Sequence, residues 1–164
     1  MQTTYNRNEN SVGGIIPDVA TTDLVIDGAF VDKIIPMLID AKSEIRICAY
    51  AWRWYMDEPE LPMQKFNITL FRKSCDGCKV RILVDNQSMR DTFKRLGFNV
   101  RAVEPTKMLH TKAICIDRKS LVIGSHNLTK RAGFDNYEMS IITQEFEPVE
   151  QFIQYFDEMW ASRA

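Results

Sequence analysis

Between positions 110 and 127 the chain reads His110-Thr-Lys112, four intervening residues, Asp117, six more, then Gly124-Ser125-His126-Asn127. An imidazole, an ammonium and a small-residue turn bearing two neutral hydrogen-bonding side chains thus fall within eighteen residues. A phosphodiester calls for this set: a nucleophile or proton carrier, a cation for the charged oxygens, and neutral donors around them. Lys112 would hold phosphate oxygens as a point charge. Ser125 and Asn127 would donate hydrogen bonds to the same oxygens, and Gly124 would let the backbone approach the ligand. Alone, Gly-Ser-x-Asn is only a turn signal; its fixed offset from His-x-Lys gives it weight. Asp117-Arg-Lys-Ser120 also reads as a hairpin turn, so a structural role is expected for Asp117. His126, at the variable position, is expected to touch substrate or to face solvent.

The elements that must position these groups are legible as periodicities. Lys112–Ile116, Leu121–Ile123 and Glu138–Ile142 read as strands, the first two forming a hairpin that carries the motif. In a strand, residues i and i+2 share a face, so His110 and Lys112 should enter one cleft side by side. Upstream, Leu24–Ile26 reads as a short strand, and residues 28–41 have apolar positions at helical spacing, with Pro36 expected to kink the helix or mark its boundary. Ile45–Ala51 and Val80–Val84 are apolar runs of strand length. Leu61–Ser74 reads as a helix ending near Gly77, and Ser88–Leu96 as a helix capped by Ser88 and stopped by Gly97. Phe98–Ala102 reads as a strand and Glu147–Trp160 as the last helix. Alternating strands and helices predict an α/β fold, a mixed, largely parallel β-sheet flanked by helices on both faces. Residues 1–20 form a polar lead, and 21–164 a single catalytic domain.

The spacing resembles the HxK-x4-D-x6-GSxN signature of the phospholipase D superfamily. Asn136-Tyr-Glu138 stands where short single-motif members carry Asn-x-Glu. Glu44–Ala51, Lys79–Asp85 and Phe156–Trp160 resemble the family's flanking strands and closing helix, so the likeness covers roughly residues 22–161. The chain looks most like the short bacterial nucleases with one motif per chain. The resemblance implies that His110 attacks phosphorus and forms a phosphohistidine, the neighbouring cation favouring the neutral imidazole. It makes Glu138 the acid that orients a histidine through its second ring nitrogen. A displacement of this kind also needs a general acid on the far side of the phosphorus, and one chain offers one such histidine. Single-motif relatives solve this with a two-fold homodimer, and the same is expected here. With lysine and neutral donors on the phosphate, no metal or other cofactor is implied.

Composition is that of an ordinary globule, with a net charge of −1 from 21 basic and 22 acidic residues. From Lys107 to Arg131 there are six bases and one acid, Asp117, which makes this segment +5 and the remainder −6. A cationic site in an acidic body suits a polyanionic substrate; the alternative is a set of solvated turn residues. The first ten residues have no apolar core of the secretory type, and no apolar run is long enough to span a membrane, so a cytoplasmic location is expected. Two sequons, at Asn67 and Asn127, bear on this, since a glycan on Asn127 would block the motif. Cys75-Asp-Gly-Cys78 could be half a zinc site, but lacking a second pair it reads as a turn between helix and strand.

These features point to a metal-independent nuclease acting on DNA or RNA. A lipid phosphodiesterase or phosphatidyl transferase is the alternative, with the Trp52-Arg-Trp54-Tyr55-Met56 cluster as its only candidate membrane contact; core packing or a dimer contact is the plainer reading of that cluster. A binder that kept the fold but lost catalysis is disfavoured by the intact His, Lys, Ser, Asn and Glu.

Overall fold

The computed structural model describes residues 21–103 and 106–162. The polar lead lies outside the described residues. In chain order the elements are β1 (Thr22–Ile26), α1 (Ala29–Asp40), β2 (Glu44–Ala49), α2 (Pro62–Cys75), β3 (Lys79–Val84), α3 (Gln87–Arg95), β4 (Asn99–Ala102), β5 (Ala113–Ile116), β6 (Ser120–Gly124), α4 (Lys130–Phe134), β7 (Met139–Thr143) and α5 (Phe146–Ala161).

The strands form one seven-stranded sheet in the order β1-β7-β6-β5-β2-β3-β4. It is mixed: β2-β3-β4 pair in parallel, and the pairings from β2 through β5, β6 and β7 to β1 are antiparallel. The parallel part follows from the helical crossovers α2 and α3, and the antiparallel part from the short Asp117–Lys119 turn.

Side-chain alternation divides the core. Ile45, Ile47, Val80, Ile82, Ile114 and Val122 face α1, α2 and α3. Cys48, Leu83, Ala113, Cys115 and Leu121 face α5, which buries Val149, Phe152, Ile153 and Phe156 against them. Helices therefore cover both faces. Two buried arginines punctuate the second face. Arg46 pairs with Glu44 and Asp157, and Arg81 reaches Asp157 at 2.9 Å and lies over Phe156 and Trp160. This network fastens α5 to β2 and β3.

Several local expectations differ in detail. The helix α1 runs through Pro36, whose missing N–H would have served the carbonyl of Asp32; both residues are exposed, so water can serve it. The cap of α3 is Asn86, whose side chain accepts from Met89 N at 2.9 Å, rather than Ser88. The short α4, capped by Thr129, was too brief to give a periodic signal. Cys75 closes α2, and Cys78 follows the left-handed Gly77 at the entry to β3. Asn67 of the first sequon is fully buried and bonds Arg53 O, Gln64 and Trp52, which leaves no room for a glycan. No helix among the described residues is long and apolar enough to cross a membrane.

Candidate functional site

The motif gathers at one end of the sheet. Ala113 at the start of β5 pairs with Ile123 near the end of β6, so His110 and Lys112 lie beside Gly124 and Ser125. The same end receives the carboxyl ends of β1, β2 and β3, the place where open α/β sheets characteristically bind ligands. The Asp117 turn lies at the opposite end.

His110 is exposed, and both it and Lys112 precede β5 rather than lie within it. They still share one side. The Lys112 ammonium donates to the carbonyl of His110 at 2.7 Å, and the Tyr50 ring contacts both residues. Its centroid is 4.5 Å from that of the imidazole and 4.8 Å from Lys112 Nζ. Burial pulls the Lys112 ammonium below its usual value, partly opposed by the charge of Glu138. The loop before His110 is tied down by Asp85, at the end of β3, whose carboxylate accepts from Leu109 N at 2.8 Å.

On the facing side, the Ser125 hydroxyl donates to Glu138 and accepts from Met139 N at 3.0 Å. A hydroxyl has one proton, so a phosphate oxygen here competes with that carboxylate. Glu138 also accepts from Asn136 at 2.9 Å, and its own N–H donates to Asp27 Oδ1 at 2.7 Å. No hydrogen bond joins Glu138 to the His110 ring of the same chain. Asn127 keeps a buried side-chain oxygen without a partner, so hydrogen-bonding capacity at this loop is unused. Leu128 pins the loop, bridging Ala51 and Arg53 through N–H···O bonds of 3.0 and 3.1 Å.

Gly124 has a second reason to be glycine, one the sequence did not disclose. A Cβ there would meet Met139 O and Ser140 Oγ at 2.3 Å, so the close approach is to β7. His126 neither touches a substrate surface nor faces solvent. It is 2% exposed, stacks on Phe30 at 4.6 Å, and bonds Ser140 Oγ at 2.7 Å and Asp27 O at 3.0 Å. Successive residues of the turn point to opposite sides, which sends Ser125 outward and His126 inward. The Asp117 carboxylate accepts from Lys42 N, Ser43 N, Ser43 Oγ and Glu44 N at 2.7–3.0 Å. These bonds outweigh its desolvation and hold its pKa down at about 2.

The basic segment does not form one patch. Arg118 lies at the Asp117 turn and pairs with Glu150, and Lys130 pairs with Glu58. Trp52 is buried against Phe66 and Phe93, whereas Trp54 is half-buried and packs against the core through Phe71, Phe93 and Phe98.

Residues 34–160 match the family model described as cardiolipin synthase, PLD-like domain. The chain belongs to the phospholipase D superfamily. The mitochondrial cardiolipin hydrolase of Mus musculus is 26% identical over 134 residues, 78% of this chain and 57% of that protein. A phospholipase D of Rickettsia felis is 36% identical over 84 residues, 48% of this chain and 42% of that protein. The chain thus spans about half the length of the curated relatives it matches. Among solved structures, the phospholipase D family member Nuc from Salmonella typhimurium superposes with a TM-score of 0.74 at 18% identity, over 88% of this chain and 97% of that one. NucT from Helicobacter pylori gives a TM-score of 0.70 at 18% identity, over 88% and 98%. These likenesses establish the phospholipase D fold.

The motif sequence pointed to the candidate residues beside the ends of β5, β6 and β7. Sequence reading missed the supports: Tyr50 from β2, Asp85 from β3 and Asp27 from β1. The only local hint was that Asp85 follows an apolar strand directly, a position that faces the ligand end of such sheets.

Proposed function

We propose that the protein is a metal-independent phosphodiesterase that cleaves DNA or RNA internally, with a phosphohistidine formed on His110. The observation that carries this reading is the convergence of His110 and Lys112 on Tyr50, beside Ser125 and Glu138, at one exposed sheet end. A neutral His110 attacks phosphorus, the P–O bond to the leaving group breaks, and a general acid protonates the departing oxygen. The deprotonated acid then takes a proton from water, which attacks the phosphohistidine and frees His110. Lys112 balances charge on the non-bridging oxygens, with Ser125, Asn127 and the backbone at Gly124 around them.

The acid, in this reading, is His110 of a second copy. Leu24, Ile26, Ile123, Met139 and Ile141 are exposed together on the α5 side of the sheet. They are cross-strand neighbours, Leu24 and Ile123 each paired with Ile141, and Ile26 with Met139. Such a bare apolar face, contiguous with Gly124 and Ser125, favours a two-fold homodimer that covers it and sets two motifs across one cleft. Because Glu138 is engaged by Ser125 and Asn136 within its own chain, the histidine it orients is assigned to the second copy as well.

A lipid substrate is the second reading. Met108 is 62% exposed and Tyr137 99%, both flanking the site, and such side chains suit a membrane interface. Curated relatives named cardiolipin hydrolase favour it too. Trp52 is buried and Trp54 half-buried against Phe71, Phe93 and Phe98, which weakens the cluster as a membrane contact and supports the nuclease reading. Purified protein and its His110→Ala variant are to be compared in excess EDTA on single- and double-stranded DNA and RNA and on cardiolipin vesicles. Nucleic-acid cleavage lost in the variant supports the proposal. Cleavage of vesicles alone transfers the site to the lipid reading.

A further inference from the structure

Beside the motif, at the same end of the sheet, a groove of about 370 Å³ is lined by Trp52, Arg53, Trp54, Asn86, Met89 and Thr92, among others. Its two walls are the continuations of adjacent parallel strands. One follows β2 directly after Tyr50, and the other follows β3 directly after Asp85. Tyr50 and Asp85 are the residues that hold His110 and its loop. Both walls of the groove thus begin one or two residues beyond the positions that hold the site, on a path that a chain-like substrate seated over His110 can follow.

The chemistry of the walls narrows the occupant. Arg53 is exposed and lines the groove, and among the described residues its guanidinium has neither an ion pair nor a side-chain hydrogen bond, as is also true of Arg72, Arg95 and Arg131 away from it. Its backbone is nonetheless fixed, with Arg53 N bonded to Leu128 O at 3.1 Å and Arg53 O accepting from the buried Asn67 at 3.0 Å. A free cation on a rigid base beside a phosphodiester site is suited to a second phosphate. Trp54 is half-buried, held by T-shaped and tilted contacts with Phe71, Phe93 and Phe98, and it lines the groove together with Met89. A flat ring held in this way offers stacking to a base. The volume is at the small end of ligand pockets, which run roughly 300–1,000 Å³.

We infer that this groove is a substrate subsite for the nucleotide adjoining the scissile phosphodiester, with Arg53 on that nucleotide's phosphate and Trp54 with Met89 against its base. The inference rests on the nuclease reading and deepens it, since it makes the enzyme recognise a strand rather than an isolated phosphodiester.

The test compares two substrates: a labelled single-stranded octanucleotide, as DNA and as RNA, and bis(4-nitrophenyl) phosphate, which has a single phosphate. For Arg53→Ala, the ratio of kcat/KM on the octanucleotide to that on bis(4-nitrophenyl) phosphate is expected to fall about tenfold. Octanucleotide binding by His110→Ala is expected to lose about one unit of its log–log salt slope when Arg53→Ala is added. Arg53→Lys, which keeps the charge, should recover part of both. An unchanged ratio and an unchanged salt slope in an enzyme that does cleave the octanucleotide would overturn the subsite and leave the nuclease intact. A wild-type enzyme that hydrolyses bis(4-nitrophenyl) phosphate but neither the octanucleotides nor their duplexes would overturn both.

Discussion

The Tyr50 ring lies 4.5 Å from the His110 imidazole, centroid to centroid, and tilted by 57°. The same ring has Lys112 Nζ 4.8 Å from its centre. One side chain from the end of β2 thus spaces the imidazole and the ammonium, two groups on a segment that has no strand pairing of its own. A cation–π contact at an exposed site contributes about 0.5–1 kcal/mol, and the aromatic pair a similar amount. Tyr50→Ala should lower kcat/KM about tenfold, whereas Tyr50→Phe, which keeps the ring, should stay within about threefold. Steady-state kinetics on both variants decides whether the ring or the hydroxyl matters.

The two histidines should behave oppositely. His110 is exposed, so His110→Ala should abolish turnover and leave the unfolding free energy within about 0.5 kcal/mol of wild type. His126 is buried between Phe30, Ser140 and Asp27, so His126→Ala leaves polar partners unpaired and a cavity, and should cost about 2–4 kcal/mol. Denaturation curves beside activity assays separate the two. Turnover by His110→Ala would remove the nucleophile.

Gly124→Ala places a methyl 2.3 Å from Met139 O and 2.4 Å from Ser140 Cα, backbone atoms of a paired strand that cannot withdraw without breaking the β6–β7 ladder. A loss of about 3 kcal/mol or more is expected, with activity falling because Ser125 and Glu138 move apart. A fully stable Gly124→Ala protein would show that this spacing is softer than it looks.

Asp117 has a pKa of about 2, against an ordinary 3.8, because four donors from residues 42–44 favour the charged carboxylate. A depressed carboxylate stabilises the fold fully above its ordinary value, and this contribution fades as pH falls through about 4 toward 2. After solvent screening it amounts to about 1–2 kcal/mol. Asp117→Asn should therefore be less stable than wild type at pH 7, and the gap should narrow at pH 3. Urea midpoints at the two pH values measure it, and a gap independent of pH would assign the loss to geometry instead of charge.

Ile141 sits at the centre of the bare apolar face, opposite Leu24 on one side and Ile123 on the other. A lysine there leaves an isolated chain nearly untouched, since the position is exposed, but buries a charge in the proposed dimer. Sedimentation velocity should show a dimer for wild type and a monomer for Ile141→Lys, with turnover lost in the monomer. A monomeric wild type with full activity would remove the shared site.

Local chemistry was legible in the sequence because it depends on short spacings. The four-residue β5 and five-residue β6 are joined by the Asp117 turn, so the offset from His110 to Ser125 fixes that they meet. Apolar periodicity likewise disclosed the alternation of strands and helices and the α5 stripe of Val149, Phe152, Ile153 and Phe156. Other features needed the sheet to form. Asp85 meets Leu109 from 24 residues away, and Asp27 meets Glu138 across 111, because β1 and β3 lie on opposite sides of the motif strands. No periodicity encodes such pairings, since they depend on which strand inserts beside which. The same holds for His126, turned inward onto α1 while its neighbour Ser125 turns out, and for Gly124, glycine because β7 closes over it. Sequence named the candidate groups through residue type and spacing; only tertiary packing decided which of them are exposed at the sheet end, because burial is a property of neighbours brought from distant parts of the chain.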